Sequence, residues 1–269
     1  MTAAALGTAL ALPPASADET TPGDAPKSIY VLGLSLKSAP EYEGADRYAL
    51  KVRPLWAYRY GRFKISTSGA SAVMGFATVS VGSGVSAEIL RTARWKLAAA
   101  LRFDSGRKSG DSARLAGLPD IQRTLRGRFS VSYRLDDEWG VGASVSQDLI
   151  GRGGGAEVGL NLGYRHWLSP TTSVSAGAGV SLGDGRYMQT YFGITDAQSS
   201  TSGLPAHAPQ AGPKSVGASV GFMTALTPRW IAFANASSTR LLGGAASSPL
   251  THRANAAAIS FGLAYRCCK

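Results

Sequence analysis

The sequence predicts an all-β protein: a transmembrane antiparallel up-and-down β-barrel of about 12 strands. Three observations predict it. Apolar and polar residues alternate with a period of two in segment after segment. The links between those segments alternate between short and long. After the N-terminal segment, no run of 18 or more uncharged apolar residues offers a membrane helix, whereas a barrel strand hides its hydropathy by alternating faces.

Composition agrees with these observations and excludes other classes. The chain has 269 residues, 44% of them hydrophobic, and its 33 glycines are spread without a collagen-like period. A net charge of +11 would ordinarily suggest nucleic acid. Here the basic residues fall on one face of the strands, so no nucleic-acid partner is expected.

Taken in order, residues 1–17 are apolar and end in Ala15-Ser16-Ala17, the form of a signal-peptidase site. The basic n-region is missing, as in a signal truncated at its N-terminus; the alternative is a disordered terminus. Residues 18–27 (DETTPGDAPK) read as a flexible lead-in, and 28–269 as the barrel. Strands are expected at 28–37, 46–60, 62–70, 82–91, 93–104, 119–134, 138–151, 154–167, 171–184, 213–227, 229–241 and 253–267. Short turns fall at 60–62, 91–93, 136–137, 168–170 and 226–229. Longer links fall at 38–45, 71–81, 105–118, 185–212 and 242–252, with the glycine-rich 151–155 as a short exception. An even strand number then puts both termini and every short turn on the periplasmic side, with the longer loops extracellular. Trp95, Trp139, Trp167, Trp230, Tyr58, Tyr60, Tyr133 and Phe63 cluster at the short turns, where an interfacial girdle belongs. A soluble β-sandwich is the competing architecture, but it needs neither the loop asymmetry nor an export signal.

Charge sorting identifies the inward face. In 48–60, Tyr48, Leu50, Val52, Trp56, Tyr58 and Tyr60 alternate with Lys51, Arg53 and Arg59. In 125–135, Leu125, Phe129, Val131, Tyr133 and Leu135 alternate with Arg126, Arg128 and Arg134. Lys96, Arg102 and Arg165 follow the same rule. A cation facing lipid at mid-depth costs about 2–4 kcal/mol, so these nine residues are expected to line the lumen. The acids available to them include Asp104 and Glu157, and the excess positive charge would favour anions. The alternative is a lumen filled by side chains and paired charges.

Little else carries chemistry. His166, His207 and His252 lack metal-ligand spacing, and no serine sits in a G-x-S-x-G context, so neither metal nor catalytic residue is expected. No cofactor is implied. Asp148 and Glu157 flank the glycine-rich link and could reach Arg152, although a solvated rim is the plainer reading. Cys267 and Cys268 are adjacent, and on an extended strand they would point apart, so a mutual disulfide is not expected.

Residues 183–214, GDGRYMQTYFGITDAQSSTSGLPAHAPQAGPK, resemble the MipA/OmpV family of bacterial outer-membrane proteins. Pro40-Glu-Tyr-Glu-Gly44, the segment Tyr48 to Pro54, Gly117-Leu-Pro-Asp-Ile121, Gln147-Asp148 to Gly151 and the run Arg240 to Pro249 (RLLGGAASSP) match in turn. The resemblance spans roughly residues 28–265, and its YMQTYFG and RLLG-x-A-x-SP runs are specific. It implies an outer-membrane barrel in contact with outer-membrane lipid. For the name-giving member it implies a non-enzymatic scaffold joining a lytic transglycosylase to a penicillin-binding protein; other members are porin-like, adhesive or linked to antibiotic tolerance. A narrow, anion-favouring diffusion channel is the second reading. One departure is that Cys267 stands where the family has a terminal aromatic residue, which puts efficient assembly in question. The longest link, 185–212, carries Tyr187, Tyr191, Phe192 and Leu204, enough apolar surface to expect it folded into the barrel as a constriction rather than free at the surface.

Overall fold

A computed structural model of the chain describes residues 28–67 and 83–267. The expected export signal, the lead-in and the link 71–81 lie outside the described residues. Twelve strands close on themselves: β1 (Ser28–Pro40), β2 (Tyr48–Tyr60), β3 (Phe63–Ser66), β4 (Gly84–Arg91), β5 (Trp95–Asp104), β6 (Thr124–Arg134), β7 (Trp139–Asp148), β8 (Ala156–Trp167), β9 (Thr172–Gly183), β10 (Gly212–Ala225), β11 (Trp230–Leu241) and β12 (Asn255–Cys267). Each strand pairs antiparallel with its sequence neighbours, and β12 returns to β1 with Leu36 opposite Phe261 and Tyr30 opposite Cys267. A closed strand order is the condition for a β-structure to cross lipid; among the described residues β3 pairs with Ala57–Tyr60 of β2. No described helix is long and apolar enough to cross a membrane.

Every expected strand is present. The largest shift is at β6, which begins at Thr124 rather than 119 because an isolated bridge between Arg107 and Ile121 draws the preceding residues into the loop.

Period-two alternation explains the wall. Leu50, Val52, Phe103, Phe129 and Val220 are 60% exposed or more on the outer face. Strands of 10–14 residues rise about 3.4 Å per residue, and a tilt near 40° leaves a height of about 30 Å, matching the hydrocarbon core. Aromatic pairs sit at the short turns, with ring centroids 4.6 Å apart for Trp95–Tyr133, 4.9 Å for Trp139–Tyr164 and 5.5 Å for Trp230–Tyr265. Side chains cap those turns. Asp136 Oδ1 accepts from the Glu138 and Trp139 amides, and Thr227 Oγ1 accepts from Arg229 and Trp230.

The strands are staggered as well as tilted. One inner row of cross-strand partners runs Arg59, Lys64, Ser86, Ala100, Arg128, Ser146, Glu157, Gly183. It starts at the short-turn end of β2 and ends at the long-loop end of β9. This drift is the shear a closed barrel requires, and it carries one basic stripe diagonally through the interior.

Two features depart from the sequence reading. The inner face is not polar throughout: Val31, Leu55, Ala57, Ile231 and Ala264 are buried inside, with Met223 and Phe233 packed on them. They come from β1, β2, β10, β11 and β12 and sit at uncharged inner positions, which on β2 lie between Arg53 and Arg59. A Cβ on Gly262 would lie 2.6 Å from the Phe233 ring, so a glycine opposite makes room for it. The expectation against a disulfide also fails: Cys267 is disulfide-bonded, and the sequence's other cysteine, Cys268, is outside the described residues. Cys267 is the last residue of β12, where the strand alternation behind that expectation stops.

Candidate functional site

The nine basic residues of interest share the face opposite the exposed leucines and phenylalanines. Lys51, Arg53 and Arg59 are alternate residues of β2, Lys96 and Arg102 of β5, and Arg126, Arg128 and Arg134 of β6, while Arg165 is on β8. Register brings several together. Arg102 stands directly opposite Arg126, which is opposite Asp148, and Arg59 is opposite Lys64. Arg165 belongs to a row that passes through Ser175, Gly221, Asn235, Ser260 and Lys37 to Lys51.

At the long-loop end the residues after β9 fold into the mouth. Asp184 accepts from the Tyr187 amide at 2.6 Å and starts helix α1 (Gly185–Phe192); a Thr195–Gln198 capping box starts α2 (Asp196–Ser202). Tyr187 is 7% exposed and lies between two strand cations, its ring centroid 5.4 Å from the Arg126 guanidinium carbon and 5.1 Å from Lys214 Nζ. Lys214 Nζ donates to the Tyr187 hydroxyl at 3.2 Å and pairs with Glu157 at 2.6 Å and Glu43 at 3.3 Å. Tyr191 stacks on Tyr187 at 4.5 Å and donates to Asp104 at 2.8 Å. Burial holds both phenols protonated well beyond the ordinary tyrosine range, with the Asp104 carboxylate adding to the shift at Tyr191.

Lys214 reaches this position through a bulge. Pro213 pairs with Leu182 and Ser215 with Ser181, so Lys214 is the extra residue. Strict alternation would aim it outward, but the bulge turns both Lys214 and Ser215 inward, where both are buried. The sequence reading missed Lys214. Its signal was the Gly212-Pro213 step, since proline inside a strand marks a bulge or an edge.

Arg126 anchors the glycine-rich link. It donates to the Gly154 carbonyl at 2.8 Å, the Gly155 carbonyl at 3.1 Å and Ser146 Oγ at 3.1 Å. Asp148 accepts from Thr124 Oγ1 and from the Gly154 amide. The link is short because its backbone is held by these two buried side chains. Asp148 and Glu157 therefore pair with Thr124 and Lys214 and not with the Arg152 side chain, which bonds Gln122, although the Arg152 backbone amide donates to Asp148. Neither forms a solvated rim: Asp148 is 8% exposed and Glu157's side chain 29%.

The remaining loops complete the plug. Phe192 packs with Tyr187, Met188, Leu241 and Ala245, the last from helix α3 (Gly243–Ala246). Ile194 packs with Leu115, Leu118 and Leu250, with Tyr42 and half-buried Leu204 against them. Arg107 donates to the Tyr191 carbonyl at 2.9 Å, and Ser248 to the Phe192 carbonyl at 2.6 Å. Segment 185–212 is thus packed into the mouth over β5 to β11, whereas Lys51 and Arg53 on β2 are exposed.

A cavity of about 530 Å³ is lined by inner residues of β2 to β8, including Arg59, Lys64, Glu88, Lys96, Arg128, Arg134 and Arg165, and by short-turn residues Gly61, Thr92, Asp136 and Asp137. A second cavity of about 370 Å³, shared by Arg128, Ser144 and Asn161, extends along β8 to β11. The histidines sit apart. His166 Nδ1 is 2.6 Å from Glu138, and His207 Nε2 is 2.9 Å from the Gly244 carbonyl. Among the described residues no cluster of histidine, cysteine and carboxylate side chains is arranged to hold a metal.

Solved structures of similar shape are outer-membrane barrels of low identity. OmpT of Vibrio cholerae is 9% identical with a TM-score of 0.41, over 92% of this chain and 99% of that one. The NanC porin is 8% identical at 0.43, over 86% and 98%, and the KdgM porin 7% identical at 0.42, over 87% and 98%. No curated protein matches by sequence. The family model of MltA-interacting protein MipA matches residues 32–267, nearly the whole described barrel. An outward apolar belt, closed ladders and this match together identify a bacterial outer-membrane β-barrel, and the chain belongs to the MipA family.

Proposed function

We propose that the protein is a non-enzymatic outer-membrane scaffold that holds murein-synthesising and murein-hydrolysing enzymes at its periplasmic end. The observation that carries this reading is the use of the described long loops: they pack on one another and into the mouth instead of forming an outward-facing site. The polar groups there that could do chemistry, Arg126, Asp148, Lys214 and Tyr187, are engaged in bonds that fix loops and strands to each other. What stays open faces the short turns and the periplasm. The family name, MltA-interacting protein, supports one partner class, a lytic transglycosylase; the penicillin-binding synthase it would be joined to is part of the proposal. The purified barrel in nanodiscs should bind an MltA-type transglycosylase and a penicillin-binding synthase saturably. Absence of binding by both at about 10 µM overturns the reading.

A second reading, a narrow anion-favouring diffusion channel, is favoured by the exposure of Lys51 and Arg53 on β2, away from the plug's contacts with Asp104 on β5, Arg126 on β6 and Lys214 on β10. Planar-bilayer recording tests it, and either no conductance or cation preference argues against it.

A further inference from the structure

We infer that Lys37, Lys51 and Arg53 form a binding site, on the inner wall toward the long-loop end, for a small oxyanion of the phosphate or sulfate type. The inference goes beyond both readings above and needs neither.

The register gathers the three cations. Lys37 on β1 stands directly opposite Lys51 on β2, which sets their Cα atoms about 5 Å apart. Arg53 follows Lys51 on the same face, about 7 Å further along the strand. Lys37 is the diagonal neighbour of Arg53, at about 7–8 Å. Side chains as long as these can turn their charged ends onto one small group between them. A phosphate or sulfate group accepts from all three at once, and the planar Arg53 fork fits two of its oxygens.

No acid answers this charge. The inner row through Lys51 and Lys37 continues as Ser260, Asn235, Gly221 and Ser175, and the row through Arg53 as Ser35, Gly262, Phe233 and Met223. The charged groups that act on Lys37 are Arg53 and Lys51, both cations. The acids of the loop between β1 and β2 are placed elsewhere. Glu43 pairs with Lys214 and Asp46 with Arg114, while Glu41 lies about 13 Å past Lys37 along the chain. Among the described residues none of the three cations has an ion-pair partner. Residues 68–82 contain no aspartate or glutamate.

The cluster is also open to water and set on an apolar floor. Lys51 and Arg53 are exposed although they belong to the inner face. The next inner positions of β2, Leu55 and Ala57, are each 2% exposed within the apolar group. A floor of low dielectric strengthens the field of the charges beside it. Like charges directly opposite across an antiparallel pair destabilise a sheet. Ser260 and Asn235 show that neutral side chains build the same row without that repulsion. A repulsion kept in spite of this alternative, within reach of solvent and without a counter-charge, marks a place for an anion.

Calorimetric titration of the purified protein in nanodiscs at low salt tests this, with inorganic phosphate and sulfate as probes and chloride as the reference. At least one oxyanion should bind one to one and about tenfold or more tightly than chloride, and the preferred probe reports which it is. The Lys51→Gln/Arg53→Gln double variant should bind about 30-fold more weakly or worse, since each lost charged hydrogen bond is worth a factor near ten. Lys51→Arg, which keeps the charge, should stay within about threefold of wild type. Ser260 stands opposite Lys37, so Ser260→Glu brings an acid to the cluster and keeps every cation. Binding should then fall about fivefold or more, which keeps the claim falsifiable if the double variant does not assemble. Arg186→Gln, at an exposed position of α1, should stay within about twofold. No saturable binding of either oxyanion, affinity no better than chloride, unchanged binding in Ser260→Glu, or an equal loss in Arg186→Gln overturns the proposal. Partner binding and conductance test the readings above and leave this titration unaffected.

Discussion

Replacing Lys214 with methionine removes one of the ties between plug and wall. The side chain is 6% exposed and holds Glu157 at 2.6 Å, Glu43 at 3.3 Å and the Tyr187 hydroxyl at 3.2 Å. Methionine keeps most of the volume, so packing changes little while the charge is lost. Breaking a buried ion pair by removing one partner costs about 3–5 kcal/mol. Here the acids left behind retain side-chain exposures of 29% and 54%, so water compensates in part and about 2–3 kcal/mol is the better figure. Of that, the part that falls on the plugged state is the Tyr187 hydrogen bond and cation–π contact, about 1–2 kcal/mol, which multiplies the displaced population of α1 by about 5- to 30-fold. The assay is protease sensitivity of residues 185–202, read together with conductance in planar bilayers. Cleavage should accelerate by that factor, while loss of the β8–β10 pair with Glu157 lowers the barrel's own resistance to denaturation. Wild-type cleavage kinetics in Lys214→Met, or an equal effect in Lys51→Met, would refute the assignment of Lys214 as one of the plug's ties.

Three further outcomes are expected. Gly155→Ala should unseat the same helix, because the residue has φ +56° and a Cβ there would fall onto the Tyr187 amide and the Asp184 carboxylate; limited proteolysis should reveal it, at a cost of about 1–3 kcal/mol. Phe129→Arg places a cation on the lipid face in the middle of β6, so folding into lipid vesicles should weaken by about 2–4 kcal/mol, measured by denaturant titration. Glu138 is held below the ordinary glutamate range by its hydrogen bonds to His166 and Tyr164. A depressed carboxylate stabilises the fold above the ordinary range and loses that contribution as pH falls through the lowered value. Wild type should therefore exceed Glu138→Gln in thermal stability at neutral pH and converge with it in that acidic window.

The wall was legible because alternation is a local property. Leu50 against Lys51 and Phe129 against Arg128 declare their faces without knowledge of any neighbour. The turns were legible for the same reason, through Gly61, Asp136 and Thr227. The mouth was not. Its strand cation, Lys214, occupies a position that alternation assigns to the outside, and only a bulge set by pairing with β9 reverses it. Glu43 reaches it from a loop 171 residues away in sequence, a contact no local pattern carries. The apolar group around Val31, Leu55 and Phe233 was hidden differently. Leu55 and Ala57 read as gaps in a basic face until five strands brought their equivalents to one place.

That apolar group has a consequence for how the cylinder opens and shuts. Val31 of β1 and Ala264 of β12 lie on the two sides of the joint between first and last strands, and both are fully buried within it. In most of the circumference, neighbouring staves are held by their hydrogen bonds and by lipid outside. At this joint a dry internal knot, with Ile231 and Leu55 from the next staves, must be torn apart as well. The seam that forms last in a closing sheet is thus fastened from within, and a barrel strained sideways should part along some other pair of strands first.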